Sequence, residues 1–85
     1  MRFNRSRNNI INDILEAATR GGIATKTGIM YKIFLSHAQM KNYLTYLTQH
    51  DLIEYDVGAQ LYKTTEKGLR FIEVYSQMDG MIKTA

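Results

Sequence analysis

The stretch LSHAQMKNYLTYLTQHDLIEY, residues 35–55, combines a helical pattern with a start signal and a β-prone end. Ser36 and Gln39 have the S-x-x-Q spacing of a capping box, which begins a helix. Met40, Leu44 and Leu47 then recur on one stripe, so we expect that stripe to face a core and the helix to end near residue 49. The polar residues of the same helix point away from the stripe, toward solvent or a partner.

Two shorter helical patterns precede this stretch. The first runs from about Arg7 to Arg20, with isoleucine, leucine and alanine at helical spacing, and the glycine pair at 21–22 ends it. Thr25 can cap the second, which continues through Ile33. The connection to the third helix is therefore short, as in a helix-turn-helix.

A hairpin and a last helix follow. LIEYDV and QLYK are short β-prone runs on either side of a turn at residues 58–59, and Thr65 begins a helix through residue 83 with Leu69 and Ile72 as expected core residues. The order predicts a mainly α winged helix-turn-helix with a small β-hairpin: three helices, a two-stranded wing and a C-terminal helix. We expect residues 1–85 to form one such domain, with residues 1–6 as a flexible arm.

Charge divides the chain unequally. The 85 residues carry 11 Lys+Arg and 8 Asp+Glu, and seven of the cations but only two of the acids lie at or before His50. The first part is therefore basic and the remainder mildly acidic, which favours a polyanionic partner for the half that contains the third helix. Arg2, Arg5 and Arg7 are expected to have nothing to pack on and to belong to the arm.

The third helix has the division that a recognition helix needs. At about 100° per residue, Gln39, Asn42 and Tyr46 fall opposite the apolar stripe, and amides and hydroxyls there can reach base edges while cations reach phosphates. The residues predicted to contact double-stranded DNA are Gln39, Lys41, Asn42, Thr45 and Tyr46, with His37 at the helix start, Lys26 on the preceding helix and the backbone of Gly58 in the wing. The wing carries Asp56 and no cation before Lys63, so it is a poor phosphate clamp.

Other site classes find little support in the sequence. GGIATKT at 21–27 lacks the glycine before the lysine of a phosphate loop, and His37 and His50 stand far apart without a cysteine, so we predict no cofactor, no metal ion and no small-molecule substrate. No pair of carboxylates or serine motif suggests an enzyme. The absence of cysteine, of a signal peptide and of a membrane-spanning run leads us to expect a cytoplasmic location, which DNA binding would make nucleoid-associated.

The last helix carries a second apolar stripe. Its members are Phe71, Tyr75, Met78 and Ile82, spaced 4, 3 and 4 residues apart. A chain of this size has little surface left to cover them, which predicts a homodimer through this helix. The alternative is that the stripe folds back on the first helix.

The third helix together with YKTTEKGLRFIEVY at 62–75 resembles an archaeal winged-helix family that includes ArnR-like regulators and the small dimeric chromatin proteins of crenarchaea. The resemblance covers about residues 9–75. It implies sequence-specific or sequence-tolerant binding of double-stranded DNA by a transcriptional regulator or nucleoid protein, often as a dimer. The alternative function is a winged helix that binds another protein, and not DNA, through the third helix.

Overall fold

The computed structural model of the protein describes residues 6–19 and 25–83, with side chains up to residue 78. Its elements are α1 (Arg7–Thr19), α2 (Lys26–Ile33), α3 (His37–Gln49), β1 (Ile53–Asp56), β2 (Leu61–Thr64) and α4 (Glu66–Lys83). This order confirms the predicted winged helix-turn-helix with its C-terminal helix. The expected end of the first helix at Arg20, its glycine stop and residues 1–5 of the arm lie outside the described residues.

All four helices begin with a hydroxyl side chain that accepts a backbone N–H three residues later. Thr25 accepts from Gly28 at 3.0 Å and Ser36 accepts from Gln39 at 3.2 Å, as the sequence predicts. Thr65 does the same for α4, and Ser6, which the sequence analysis assigned to the arm, does so for α1. These caps satisfy N–H groups that a helix start leaves open, so each helix is started locally by its own sequence.

One cluster of buried side chains joins α1, α2, α3 and the start of β1. The fully buried members are the large aliphatic residues Ile14, Leu15, Ile29, Met40, Leu47 and Ile53. The stripe predicted for α3 is confirmed, since Met40, Leu44 and Leu47 are all buried. Burial of these side chains turns the opposite, polar side of α3 outward.

The wing is a two-stranded antiparallel hairpin in which Ile53 pairs with Thr64 and Tyr55 with Tyr62. The Thr64 hydroxyl donates to the Leu15 carbonyl oxygen at 2.6 Å, which ties β2 to α1. At the other side, the Thr65 hydroxyl donates to the Asp51 carbonyl oxygen at 2.6 Å. The wing is thus fixed to both α1 and the segment that follows α3.

The rotation of α4 differs from the expectation. Gly68 is buried so closely that an added Cβ would clash with the Leu52 carbonyl oxygen and lie 2.6 Å from Thr64 Cγ2. Because this side of α4 faces the base of the wing, the next residue turns outward, and Leu69 is 45% exposed. The prediction of Leu69 as a core residue is therefore wrong, and Phe71 packs on the core beside Ile72 instead.

Candidate nucleic-acid interface

The outer face of α3 presents polar side chains to solvent. Lys41, Asn42 and Thr45 are exposed there, and Thr48 and Gln49 continue the same side toward the end of the helix. Thr45, Thr48 and Gln49 are three and four residues apart, the spacing that puts side chains on one helical face. The contact residues predicted from the sequence end at Tyr46 and omit Thr48 and Gln49, although the spacing of these two from Thr45 was a usable signal.

A cleft of about 290 Å³ lies against this face, and we call it the α3 cleft. Its lining comes from three elements: Lys26 at the start of α2, Lys41, Leu44, Thr45, Thr48 and Gln49 on α3, and Tyr62 on β2. The fold therefore brings together three of the predicted contact residues, Lys26, Lys41 and Thr45, at one place. Two lysines from different helices at one cleft suit an anionic ligand.

Tyr62 is the wing's contribution to this cleft. Its ring lies 4.7 Å from that of Tyr55, centroid to centroid, and is partly buried. Burial, with the neighbouring Tyr55 as a second cause, raises the pKa of Tyr62 above its ordinary value of 10.0. Like any tyrosine hydroxyl, that of Tyr62 keeps its proton at neutral pH and can donate a hydrogen bond to an anion.

Tyr46 has a different environment from Lys41 and Asn42. It is half-buried against the core, the guanidinium carbon of Arg7 lies 4.4 Å from its ring centroid, and the His50 ring centroid is 4.3 Å away. The expectation that Arg7 has nothing to pack on is wrong, because it forms a cation–π contact with this ring. Arg7 and His50 therefore limit how a nucleic acid can reach Tyr46.

Gln39 has a structural role at the start of α3. Its side-chain oxygen accepts the Ser36 N–H at 3.0 Å, which completes the predicted capping box. The amide nitrogen is the only hydrogen-bonding part of this side chain outside the box. His37, the first residue of α3, is exposed beside it.

Asp56, an acid that is unfavourable near DNA phosphates, has a structural role in the turn of the wing. The Asp56 side-chain oxygen Oδ1 accepts the Ala59 N–H at 3.1 Å, and the Asp56 carbonyl oxygen accepts the Gln60 N–H at 2.7 Å. Asp56 therefore shapes the turn that presents Gly58. Lys63 lies directly opposite Glu54 in the hairpin, so the wing has no isolated cation next to the turn.

The apolar stripe of α4 is split by the structure. Phe71 and Tyr75 are half-buried with parallel rings whose centroids are 6.2 Å apart, while Met78 is 54% exposed. Val74, which the sequence analysis did not include, is 53% exposed. Ile82 lies beyond the residues whose side chains are described.

The similarity of this chain to a known family extends over nearly all of its residues. A family model described as winged helix-turn-helix matches residues 4–83. No curated protein matches the sequence. Within residues 6–19 and 25–83, no helix is both long and apolar enough to span a bilayer, and no three His, Cys, Asp or Glu side chains are grouped to hold a metal ion.

Proposed function

Because the chain belongs to the winged helix-turn-helix family, we propose that it binds double-stranded DNA through the outer face of α3. The observation that carries this proposal is the α3 cleft, where Lys26 and Lys41 flank the polar side chain of Thr45. A recognition helix is held in the major groove by such cations on the phosphates, while its amides and hydroxyls meet the base edges.

The side chains divide into two roles. Lys26 and Lys41 neutralise phosphates, with a hydrogen bond from the Tyr62 hydroxyl in support. Asn42 and Thr45 are the base readers, because both are exposed and their polar groups form none of the hydrogen bonds found within the described residues. Gln39, His37 and Tyr46 stay in the contact set at the edge of this face, and Gly58 offers a backbone N–H from the wing.

The biological role that fits this site is that of a transcriptional regulator or nucleoid protein. Such proteins place two recognition helices on one duplex by dimerising, and we propose a homodimer through α4 with Phe71, Tyr75, Met78 and Ile82, now joined by Val74, at the interface. The acidic half of the chain would then lie away from the phosphates. Kinship with the archaeal regulators and chromatin proteins remains part of this proposal.

Two substitutions on α3 test the division of roles. Lys41→Ala should weaken binding to all duplexes alike and reduce the slope of log affinity against log salt by about 0.9, since one phosphate contact is lost. Asn42→Ala should instead reduce discrimination between preferred and random duplexes by about 1–3 kcal/mol. Fluorescence anisotropy at two salt concentrations measures both quantities.

Lys32→Ala is the matched control, because it removes the same charge from the other end of α2 and should leave duplex affinity nearly unchanged. Affinity of the wild-type protein that does not fall with salt, or a Lys41→Ala variant equal to wild type on every duplex, would argue for a protein-binding winged helix instead.

A further inference from the structure

The two most exposed aromatic side chains of the described residues lie together at the end of α2. Tyr31 is 72% exposed and Phe34, directly after the helix, is 88% exposed. They are three positions apart in the sequence, and the exposed Lys32 is the next residue after Tyr31 on the same last turn of α2. We call these three residues the α2 patch. Neither ring has a stacking or cation–π partner among the described side chains.

Phe34 is held in this position by its backbone. Its φ of 59° and ψ of 51° are left-handed, and its N–H donates to the Met30 carbonyl oxygen. The residues on both sides, Ile33 and Leu35, are buried. The chain thus fixes the Phe34 ring in solvent, in a backbone conformation that glycine adopts more readily, without burying the ring in return. A strained residue with no packing benefit is typical of a binding site.

The charge around the α2 patch selects the kind of partner. No Asp or Glu occurs anywhere from residue 17 to residue 50, and Lys26, Lys32 and Lys41 all fall within this segment. An exposed cation at the same helix end as two exposed, unstacked rings complements a ligand that is both anionic and planar. Exposed aromatic rings on which bases stack, beside cations that contact the phosphates, are how proteins hold single strands.

From this juxtaposition we propose that Tyr31, Lys32 and Phe34 form a second DNA site, which binds unpaired bases of single-stranded DNA. Lys26 begins α2 and Phe34 follows its end, so these two residues are separated by about the length of the helix, about 12 Å at 1.5 Å per residue. In this proposal a single strand binds the α2 patch and a duplex binds the α3 cleft, and each kind of binding is measured with its own variants.

The test is fluorescence anisotropy with a labelled oligothymidine of about 15 nucleotides, which cannot pair with itself, and separately with a duplex. Phe34→Gly and Tyr31→Ala should each weaken oligothymidine binding at least about five-fold, the effect of losing one base stack. Phe34→Leu should lose as much as Phe34→Gly, because leucine is apolar but has no planar face, while Phe34→Trp should retain binding. Duplex affinity should stay the same in all four.

Val57→Ala is the control for loss of an exposed apolar side chain, since Val57 is 77% exposed in the wing and should be neutral. The proposal is overturned if the wild-type protein does not bind oligothymidine. It is also overturned if Phe34→Leu binds oligothymidine as the wild type does, because the patch would then be an apolar protein contact. Equal losses for single strand and duplex in Phe34→Gly would place the patch in the duplex interface and also overturn it. The proposed duplex site is tested separately. It fails if Lys41→Ala binds duplex DNA as tightly as the wild-type protein does, whatever happens with oligothymidine.

Discussion

Phe34 closes the end of α2 through its backbone, but its left-handed conformation costs free energy that glycine would not lose. The turn between α2 and α3 needs a residue with positive φ, and the N–H of that residue closes α2 on the Met30 carbonyl oxygen. Glycine meets this need without steric cost, whereas other L-residues lose about 1–2 kcal/mol in the left-handed region. The 88% exposure of the ring means that little burial offsets this cost.

The substitution Phe34→Gly should therefore stabilise the protein. We expect Phe34→Gly to raise the free energy of unfolding by about 1 kcal/mol, because relief of the left-handed strain exceeds the extra flexibility of glycine in the unfolded chain. Urea denaturation at a fixed protein concentration measures the change. Phe34→Ala is the matched control: it loses the same ring but keeps the strained backbone, so it should remain close to wild type. Equal stability of the glycine and alanine variants would contradict the argument.

Side chains on α3 show where local sequence patterns stop being informative. A helical wheel places Gln39 and Tyr46 on the polar side, and both were predicted to face DNA. The capping box uses the oxygen of Gln39, and Arg7, which lies far away along the chain, covers Tyr46. The capping box was itself visible in the sequence, so its effect on Gln39 could have been anticipated. The contact with Arg7 depends on tertiary packing and could not.

At the scale of elements, the sequence predicts much of the fold because the helix signals are local. The hydroxyl caps at Thr25, Ser36 and Thr65 and the stripe of α3 are all found as expected. The two strands of the hairpin also overlap the two predicted β-prone runs. What the periodicity could not predict is the rotation of α4, because a close contact of Gly68 with another part of the chain determines it.

The contact at Gly68 yields a prediction about how α4 docks. Gly68→Ala should destabilise the protein by about 1 kcal/mol net, since the new Cβ meets the Leu52 carbonyl oxygen and Thr64 Cγ2, and displacement of this kind costs about 2 kcal/mol, the middle of the usual range. This loss opposes the helix propensity of alanine, which alone would favour the substitution by about 1 kcal/mol. Thermal or urea unfolding decides between the two effects.

Gly58→Ala is the control for the same chemical change. A Cβ at Gly58 would lie 3.5 Å from Asp56 Oδ1, an ordinary contact, so this variant should unfold like the wild-type protein. A Gly68→Ala variant that is as stable as wild type would mean that α4 can shift away from the wing. The exposure of Leu69 would then not be set by this contact.

At the scale of the whole molecule, charge and apolar surface are placed on different parts. The lysines of the first half lie on α2 and α3, and most of the acids lie on the wing and α4. Two of the exposed apolar side chains on α4, Val74 and Met78, are four residues apart and so share a face. A partner on that face would leave the α3 cleft free for DNA.

The dimer prediction is best tested at these two exposed positions. Tyr75 is half-buried and stacked on Phe71, so a charge there would disturb the monomer as well as an interface. Val74→Glu and Met78→Glu introduce charges at side chains that are already 53% and 54% exposed, and a two-fold pair places each charge in the interface twice. We expect either variant to weaken dimerisation at least about ten-fold, which corresponds to 1.4 kcal/mol.

Sedimentation equilibrium at micromolar concentration measures this, and Leu69→Glu is the matched control. Leu69 is also exposed on α4, but at about 100° per residue it lies about 140° around the helix from Val74, so a charge there should leave the dimer intact. A monomeric wild-type protein, or equal weakening by all three variants, would exclude the face that contains Val74 and Met78. In the variants that lose dimerisation, duplex affinity should also fall, because two linked recognition helices bind one duplex more tightly than a single one does.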